Sequence, residues 1–220
     1  LAGIRGARAA FGPTLPMVAV FDTAFHQTMP EVARQYALPV ELAERHRIRR
    51  YGFHGIAHAS LANGYAACTG NPLEQVRLIT LQLGNGCSVA AIAQGRSVET
   101  SVGFTPLEGL VMGTRSGDVD PGLLLWLASN QQVPIAELYD ALEHRSGLLG
   151  LAGTADMREV LAAADAGEEP GRLGLEVYLH RLRAGIAAMA ASLGWLDALV
   201  FTGGVGERSA WVSRPATTSS

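Results

Sequence analysis

The sequence predicts an α/β fold built on a mixed sheet, and three observations carry that prediction. Two apolar runs, Arg77–Leu83 and Cys87–Ala93, flank a Gly-Asn-Gly turn and read as an antiparallel hairpin. The segment Arg172–Leu193 repeats Leu175, Tyr178, Leu179, Leu182, Ile186 and Met189 at three- and four-residue spacing, which predicts an amphipathic helix ended by Gly194. It leads into a further apolar run, Leu196–Thr202, so helices punctuate strands while the hairpin keeps the sheet from being purely parallel.

In chain order, residues 1–16 read as a helix end and a loop. Met17–Phe21 follows Pro16, is apolar, and is predicted as a buried strand stopping at Asp22. Pro30 opens a helix with Glu31 in its first turn, running to about Tyr36. Ala43–Ile48 is a polar helical stretch, part of an Arg- and Glu-rich solvated face. His58–Thr69 is a helix closed by Gly70 and Pro72. After the hairpin, Gln94-Gly95 turns the chain into a third strand, Ser97–Thr100. Pro121 starts the helix Gly122–Ser129, and Ile135–Arg145 is another helix with Gly147 after it. The segment 154–160 is a helix entry, with Thr154 or Asp156 as its N-cap. The last strand, Leu196–Thr202, runs into Gly203-Gly204-Val205-Gly206, read as a turn.

Composition narrows the function classes. With 48% hydrophobic residues, 17% charged residues and a net charge of -3, the 220-residue chain reads as compact and soluble. Nothing electrostatic points to nucleic acid or an anionic membrane as partner. All 17 basic residues are arginines, which excludes a Walker A lysine, a Schiff base and a lysine general base within the chain. Cys68 and Cys87 lack metal or redox spacing, so the expectation is a reducing, cytoplasmic setting without a disulfide framework. The sequence opens on Leu1 inside what reads as the middle of a protein, and a piece of a longer chain is expected.

Four polar or glycine-framed loops follow predicted strands or apolar runs: Phe21-Asp22, Gly84-Asn85-Gly86, Gly113-Thr114-Arg115-Ser116-Gly117 and Gly204-Val205-Gly206-Glu207. Ligands gather outside strand ends in α/β folds, so these loops are the candidate site. Glycines let backbone N–H groups approach an anion, and an arginine supplies charge to a phosphoryl group. Neither Gly84–Val89 nor Gly204–Ser209 satisfies G-x-G-x-x-G, which disfavours a Rossmann site. His54 and His58 have the spacing of a helical metal pair, but Gly55 stands where a metalloprotease glutamate would, so helix-start chemistry is the stronger reading.

Five motifs, taken together, resemble one family. FDTAFHQTMP at 21–30, RRYGFHGIAH at 49–58, the stretch LQLGNG through GDVDPG at 81–122, DMREV at 156–160 and LVFTGGVGERSA at 199–210 are similar to acetate kinases. Those belong with propionate and butyrate kinases among the sugar kinase, Hsp70 and actin superfamily. The resemblance implies an incomplete ribonuclease H-like domain of the actin and sugar kinase type, with a mixed sheet and flanking helices. Residues 1–20 would end an N-terminal kinase domain, 21–210 would form most of the C-terminal nucleotide-binding domain, and 211–220 would be an unstructured tail outside the family pattern.

By the same resemblance Asp22, His54 and Arg115 match catalytic residues, and Phe53 matches a residue of the acyl pocket. Gln82, Leu83, Gly84, Asn85 and Gly86 match the phosphate-binding turn; Asp156, Met157 and Arg158, with Gly204, Val205, Gly206, Glu207 and Arg208, match segments around the nucleoside. The implied cofactors are ATP or ADP and Mg²⁺, the implied substrate is acetate, and the full-length enzyme would be a cytoplasmic homodimer. The family's metal ligands fall outside this sequence. Gln82 stands where the family usually has histidine, and Arg208 where it has asparagine. Acetate is already ionised near pH 7, since carboxyls titrate at about 4, so Asp22 is expected to orient substrate, Mg²⁺-bound water or Arg115 rather than remove a proton.

Overall fold

A computed structural model describes residues 1–208. The predicted tail 211–220 lies outside the described residues. Four strands form one sheet in the order β3-β2-β1-β4: β1 Arg77–Leu83, β2 Cys87–Ala93, β3 Arg96–Thr100 and β4 Ala198–Thr202. β1 pairs antiparallel with β2, Leu83 opposite Cys87 and Arg77 opposite Ala93; β2 pairs antiparallel with β3. β4 returns parallel to β1, with Gln82 opposite Thr202. The expected mixed sheet with flanking helices is therefore present.

The helices are α1 Ala2–Phe11, α2 Glu31–Arg34, α3 Val40–His46, α4 Gly55–Thr69, α5 Pro121–Ser129, α6 Ile135–His144, α7 Gly147–Ala152, α8 Met157–Asp165, α9 Glu169–Leu193 and α10 Gly203–Arg208. Strand alternation sorts the sheet's two faces. Ile79, Leu81 and Leu83, with Val89 and Ala91 of β2, pack against Tyr178, Leu182 and Met189 of α9 and Val160 of α8 in the main core. The other face carries Leu78 and Ile92, which pack with Ala62 of α4. On that face the intervening positions are polar: Thr80 and Gln82 of β1, and Ser88, which pairs with Gln82.

Two sequence expectations are corrected. Met17–Phe21 is not a buried strand but irregular chain, with Val18 88% and Phe21 69% exposed. A strand needs a neighbour for its ladder, and no described strand lies alongside this one. The Gly203–Gly206 segment is not an open turn but the first turn of α10. Glu207 holds it, accepting from the Thr202 hydroxyl at 2.8 Å and the Gly203 N–H at 3.3 Å. Smaller shifts have local causes. α4 starts at Gly55 rather than His58, and α9 starts at Glu169 because Pro170 is tolerated in a first turn.

Candidate active site

The turn between β1 and β2 sits at the ends of β1 and β4, with the 112–115 loop beside it. Gly84 N–H donates to the Gly86 carbonyl at 3.0 Å, and Gly113 N–H donates to the Asn85 carbonyl at 3.0 Å. The bare Cα of Gly86 marks where the functional side chains meet. A Cβ there would lie 3.4 Å from His54 Nε2 and 3.5 Å from Arg115 Nη1. Arg115 is fixed by Glu143 of α6, which accepts from its Nε at 2.5 Å, leaving the Nη groups for the turn. The loop carrying Arg115 is fastened to the start of α7 by Ser146 N–H to the Thr114 carbonyl and Leu148 N–H to the Met112 carbonyl, both 2.9 Å.

His54 is the N-cap of α4 and adopts the left-handed region, φ 57°. That conformation is unfavourable by about 1–2 kcal/mol for a residue with a Cβ, and Asp22 holds it. The Asp22 carboxylate accepts the His54 N–H at 2.5 Å and the Ile56 N–H at 3.4 Å, while its carbonyl accepts the Gly55 N–H at 2.9 Å. A side chain at 55 would collide with that carbonyl, so glycine is required there. Asp22 is thus placed to fix the backbone that presents His54. Asp22→Asn turns one acceptor into a donor facing an N–H and removes a charge from a helix N-terminus. It should destabilise the protein by about 1–3 kcal/mol, read as a lowered urea midpoint; an unchanged midpoint would contradict the clamp.

Beside the turn lies a cleft of about 590 Å³ lined by Gly84, Asn85, Ala155, Asp156, Met157, Arg158, Leu161, Gly204, Val205 and Arg208. Asp156 caps α8, accepting the Arg158 N–H at 2.9 Å, and its carboxyl is pulled down to about 2 by the Arg158 guanidinium and that N–H. The pair largely cancels its own charge at the cleft mouth. Apolar Met157, Leu161 and Val205 leave an uncharged surface between it and the turn. A volume of this size suits a nucleotide-sized ligand.

Not every predicted site residue reaches this cleft. Leu83 is fully buried core, Gly206 is buried, and Glu207 is occupied in capping α10. Gln82 is half-buried, with its Nε2 toward Gly84 and its buried Oε1 without a hydrogen-bond partner. Phe53 is not among the residues that line the cleft, and its carbonyl accepts from the Nε2–H of buried His26 at 2.9 Å. His54 and His58 do not form a metal pair. Both rings turn to the Ser88 hydroxyl, and no group of three or more metal-ligating side chains occurs among the described residues. Sequence reading missed Glu143, Ala155 and Leu161, which have no local motif, and Ser88, whose signal is a lone hydroxyl in the apolar run of β2.

Burial lowers the pKa of His26, His54 and His58, that of His58 furthest. At His54 the nearby Asp22 opposes burial and Arg115 reinforces it. All three rings are therefore neutral in the fold at pH 7. The unfolded chain takes up protons around the ordinary value of 6.5 while the fold does not. Stability is thus full above that value and falls as pH drops below it, by up to about 1.4 kcal/mol per pH unit per ring. Urea midpoints at pH 7.5 and pH 6 should show this acid loss; equal midpoints would contradict it.

The model of the Acetokinase family matches residues 1–219. Acetate kinase of Deinococcus deserti is 55% identical over 219 residues, covering 99% of this chain and 54% of that protein. Acetate kinase of Clavibacter michiganensis subsp. michiganensis is 55% identical over 214 residues, covering 97% and 54%. The chain thus spans about half the length of these relatives. Among solved structures, Porphyromonas gingivalis acetate kinase superposes with a TM-score of 0.89 at 43% identity, over 93% of this chain and 51% of that one. A propionate kinase of Francisella tularensis subsp. tularensis SCHU S4 gives 0.89 at 45% identity, over 94% and 53%.

Proposed function

The chain belongs to the acetokinase family, and on that premise we propose that it supplies the nucleotide side of an acetate kinase cleft. The reaction is reversible transfer of the γ-phosphoryl group of ATP to acetate, giving acetyl phosphate and ADP. The observation that supports it most is the meeting of His54 Nε2 and Arg115 Nη1 at the glycine turn, next to the cleft. In this reading the Asn85 and Gly86 amides cradle the nucleotide phosphates, the Gly84 N–H being spent on closing the turn, and the adenine lies between Val205 of α10 and Met157 and Leu161 of α8. A loose phosphoryl transition state is stabilised by positioned charge rather than covalent help, which is what a neutral donor imidazole and a pre-oriented guanidinium offer.

Mg²⁺ belongs to the family chemistry, but the described residues gather no set of three or more side chains to hold it. The acyl acceptor is acetate or propionate, since one methylene changes preference by only about 1–3 kcal/mol. Half-length coverage of the relatives favours a second reading, nucleotide binding without turnover. Losing one wall of a reaction cleft removes orders of magnitude of rate.

Trapping acetyl phosphate as its hydroxamate separates these. The chain alone is expected to give little or none. A polypeptide completed with the remaining length of a relative is expected to turn over acetate. Inactivity of the completed form would overturn the kinase reading, and full activity of the chain alone would overturn the second reading.

A further inference from the structure

Behind His54, on the α4 face of the sheet, four polar groups form an unbroken buried line. Thr80 Oγ1 lies 2.7 Å from His58 Nδ1, His58 Nε2 lies 2.8 Å from Ser88 Oγ, and Ser88 Oγ lies 2.9 Å from His54 Nδ1. Thr80, Ser88 and His58 are all 0% exposed. Each hydrogen bond carries one proton, and a neutral imidazole donates from one nitrogen and accepts at the other, so the line runs in one of two directions unless both rings donate to Ser88, an arrangement that leaves the buried Ser88 hydroxyl proton without an acceptor among the described residues.

Counting protons distinguishes them. If the line ran from His54 toward Thr80, His54 Nδ1–H would donate to Ser88, Ser88 to His58 Nε2, and His58 Nδ1–H to Thr80. The Thr80 hydroxyl proton would then need an acceptor, and Thr80 has no other side-chain hydrogen bond among the described residues. A buried donor left unpaired is unfavourable by about 1–3 kcal/mol. Run the other way, every proton is placed: Thr80 O–H to His58 Nδ1, His58 Nε2–H to Ser88, and Ser88 O–H to His54 Nδ1. The remaining proton sits on His54 Nε2, the atom beside Gly86 and Arg115.

We propose that Thr80, His58 and Ser88 are positioning residues, a one-directional hydrogen-bond relay that locks His54 as its Nε2–H tautomer and aims that donor at the glycine turn beside Arg115. Burial keeps both rings neutral, as the relay requires. The opposite tautomer would present a lone pair to phosphoryl oxygens, so the role rests on the phosphoryl-transfer reading, but the tautomer itself does not. Two neighbours hold the relay rigid. The His26 ring packs edge-on against His58 with centroids 5.7 Å apart. Its own Nε2–H is committed to the Phe53 carbonyl, the residue just before His54.

The test is imidazole nitrogen NMR on the 220-residue chain labelled with ¹⁵N-histidine, in solution or sedimented under magic-angle spinning. His54 and His58 should each appear as a single tautomer protonated at Nε2, with Nδ1 shifted as the acceptor of an O–H bond. Ser88→Ala should move His54 Nδ1 downfield to an unbonded position, and Ser88→Thr should restore it. A proton on Nδ1 of either ring overturns the proposal in the unmodified chain, whether or not the variants fold. Unmoved His54 nitrogens in a folded Ser88→Ala protein also overturn it. Loss of ATP binding with the tautomers intact would instead count against the phosphoryl reading alone.

Discussion

Arg115→Ala is expected to lower acetyl phosphate formation about 10³- to 10⁵-fold in a polypeptide that joins this chain to the length of its relatives it does not span. The size follows from how the guanidinium is held. Glu143 takes its Nε at 2.5 Å, so Nη1 stands at the turn before any ligand arrives, and no reorganisation is needed when charge develops. Lysine at 115 should recover little, because an ammonium cannot bond Glu143 and a phosphoryl group in the same fork. Removing Arg115 also leaves the Glu143 carboxylate, 14% exposed, without its partner. Some stability is lost as well, so the rate is compared at a temperature where both proteins are folded. A fall of less than tenfold would contradict the role.

Gly203→Ala is expected to destabilise the fold by about 2–5 kcal/mol, through two causes that add. Gly203 has φ 86°, a region that disfavours any Cβ by about 1–2 kcal/mol. The new methyl would also overlap the carbonyl of Leu83 and lie 3.0 Å from the Leu83 nitrogen, where a packed backbone has nowhere to go and overpacking adds about 1–3 kcal/mol. The neighbouring Gly204→Ala is the control. A Cβ there meets nothing within 4 Å, and the unfolding free energy should stay within about 0.5 kcal/mol of the parent. Equal effects at 203 and 204 would show that the end of β4 is not packed on β1 as described.

Much of this arrangement could be read from local chemistry. The hairpin 77–83 and 87–93 was legible to its end residues because glycine turn and apolar runs agree. The cap of α8 was legible as Thr154 or Asp156, two short polar side chains just before a helical pattern, and the bond to the Arg158 N–H selects Asp156. Met17–Phe21 failed because an apolar run states only a preference, and a strand exists only where another strand completes its ladder. The helix at Gly203–Arg208 was hidden behind its glycines, whose low helix propensity is overridden by Glu207 reaching back to cap it. The 21–22, 84–86 and 113–117 loops were found one by one. What brings Arg115 to Gly86 is Glu143, 28 positions away on another helix, and no spacing in the sequence announces it. The Thr80–His58–Ser88 line likewise joins two strands and a helix through side chains whose types are ordinary taken singly.

The central claim is that the glycine turn and the adjoining cleft hold the phosphates and base of one nucleotide. Calorimetric titration of the chain with ATP and with ADP tests it most directly. Saturable one-to-one binding is expected for both. It should weaken at least tenfold in Gly86→Val, whose side chain would occupy the space between His54 and Arg115. Absence of saturable binding, or binding indifferent to Gly86→Val, would contradict it.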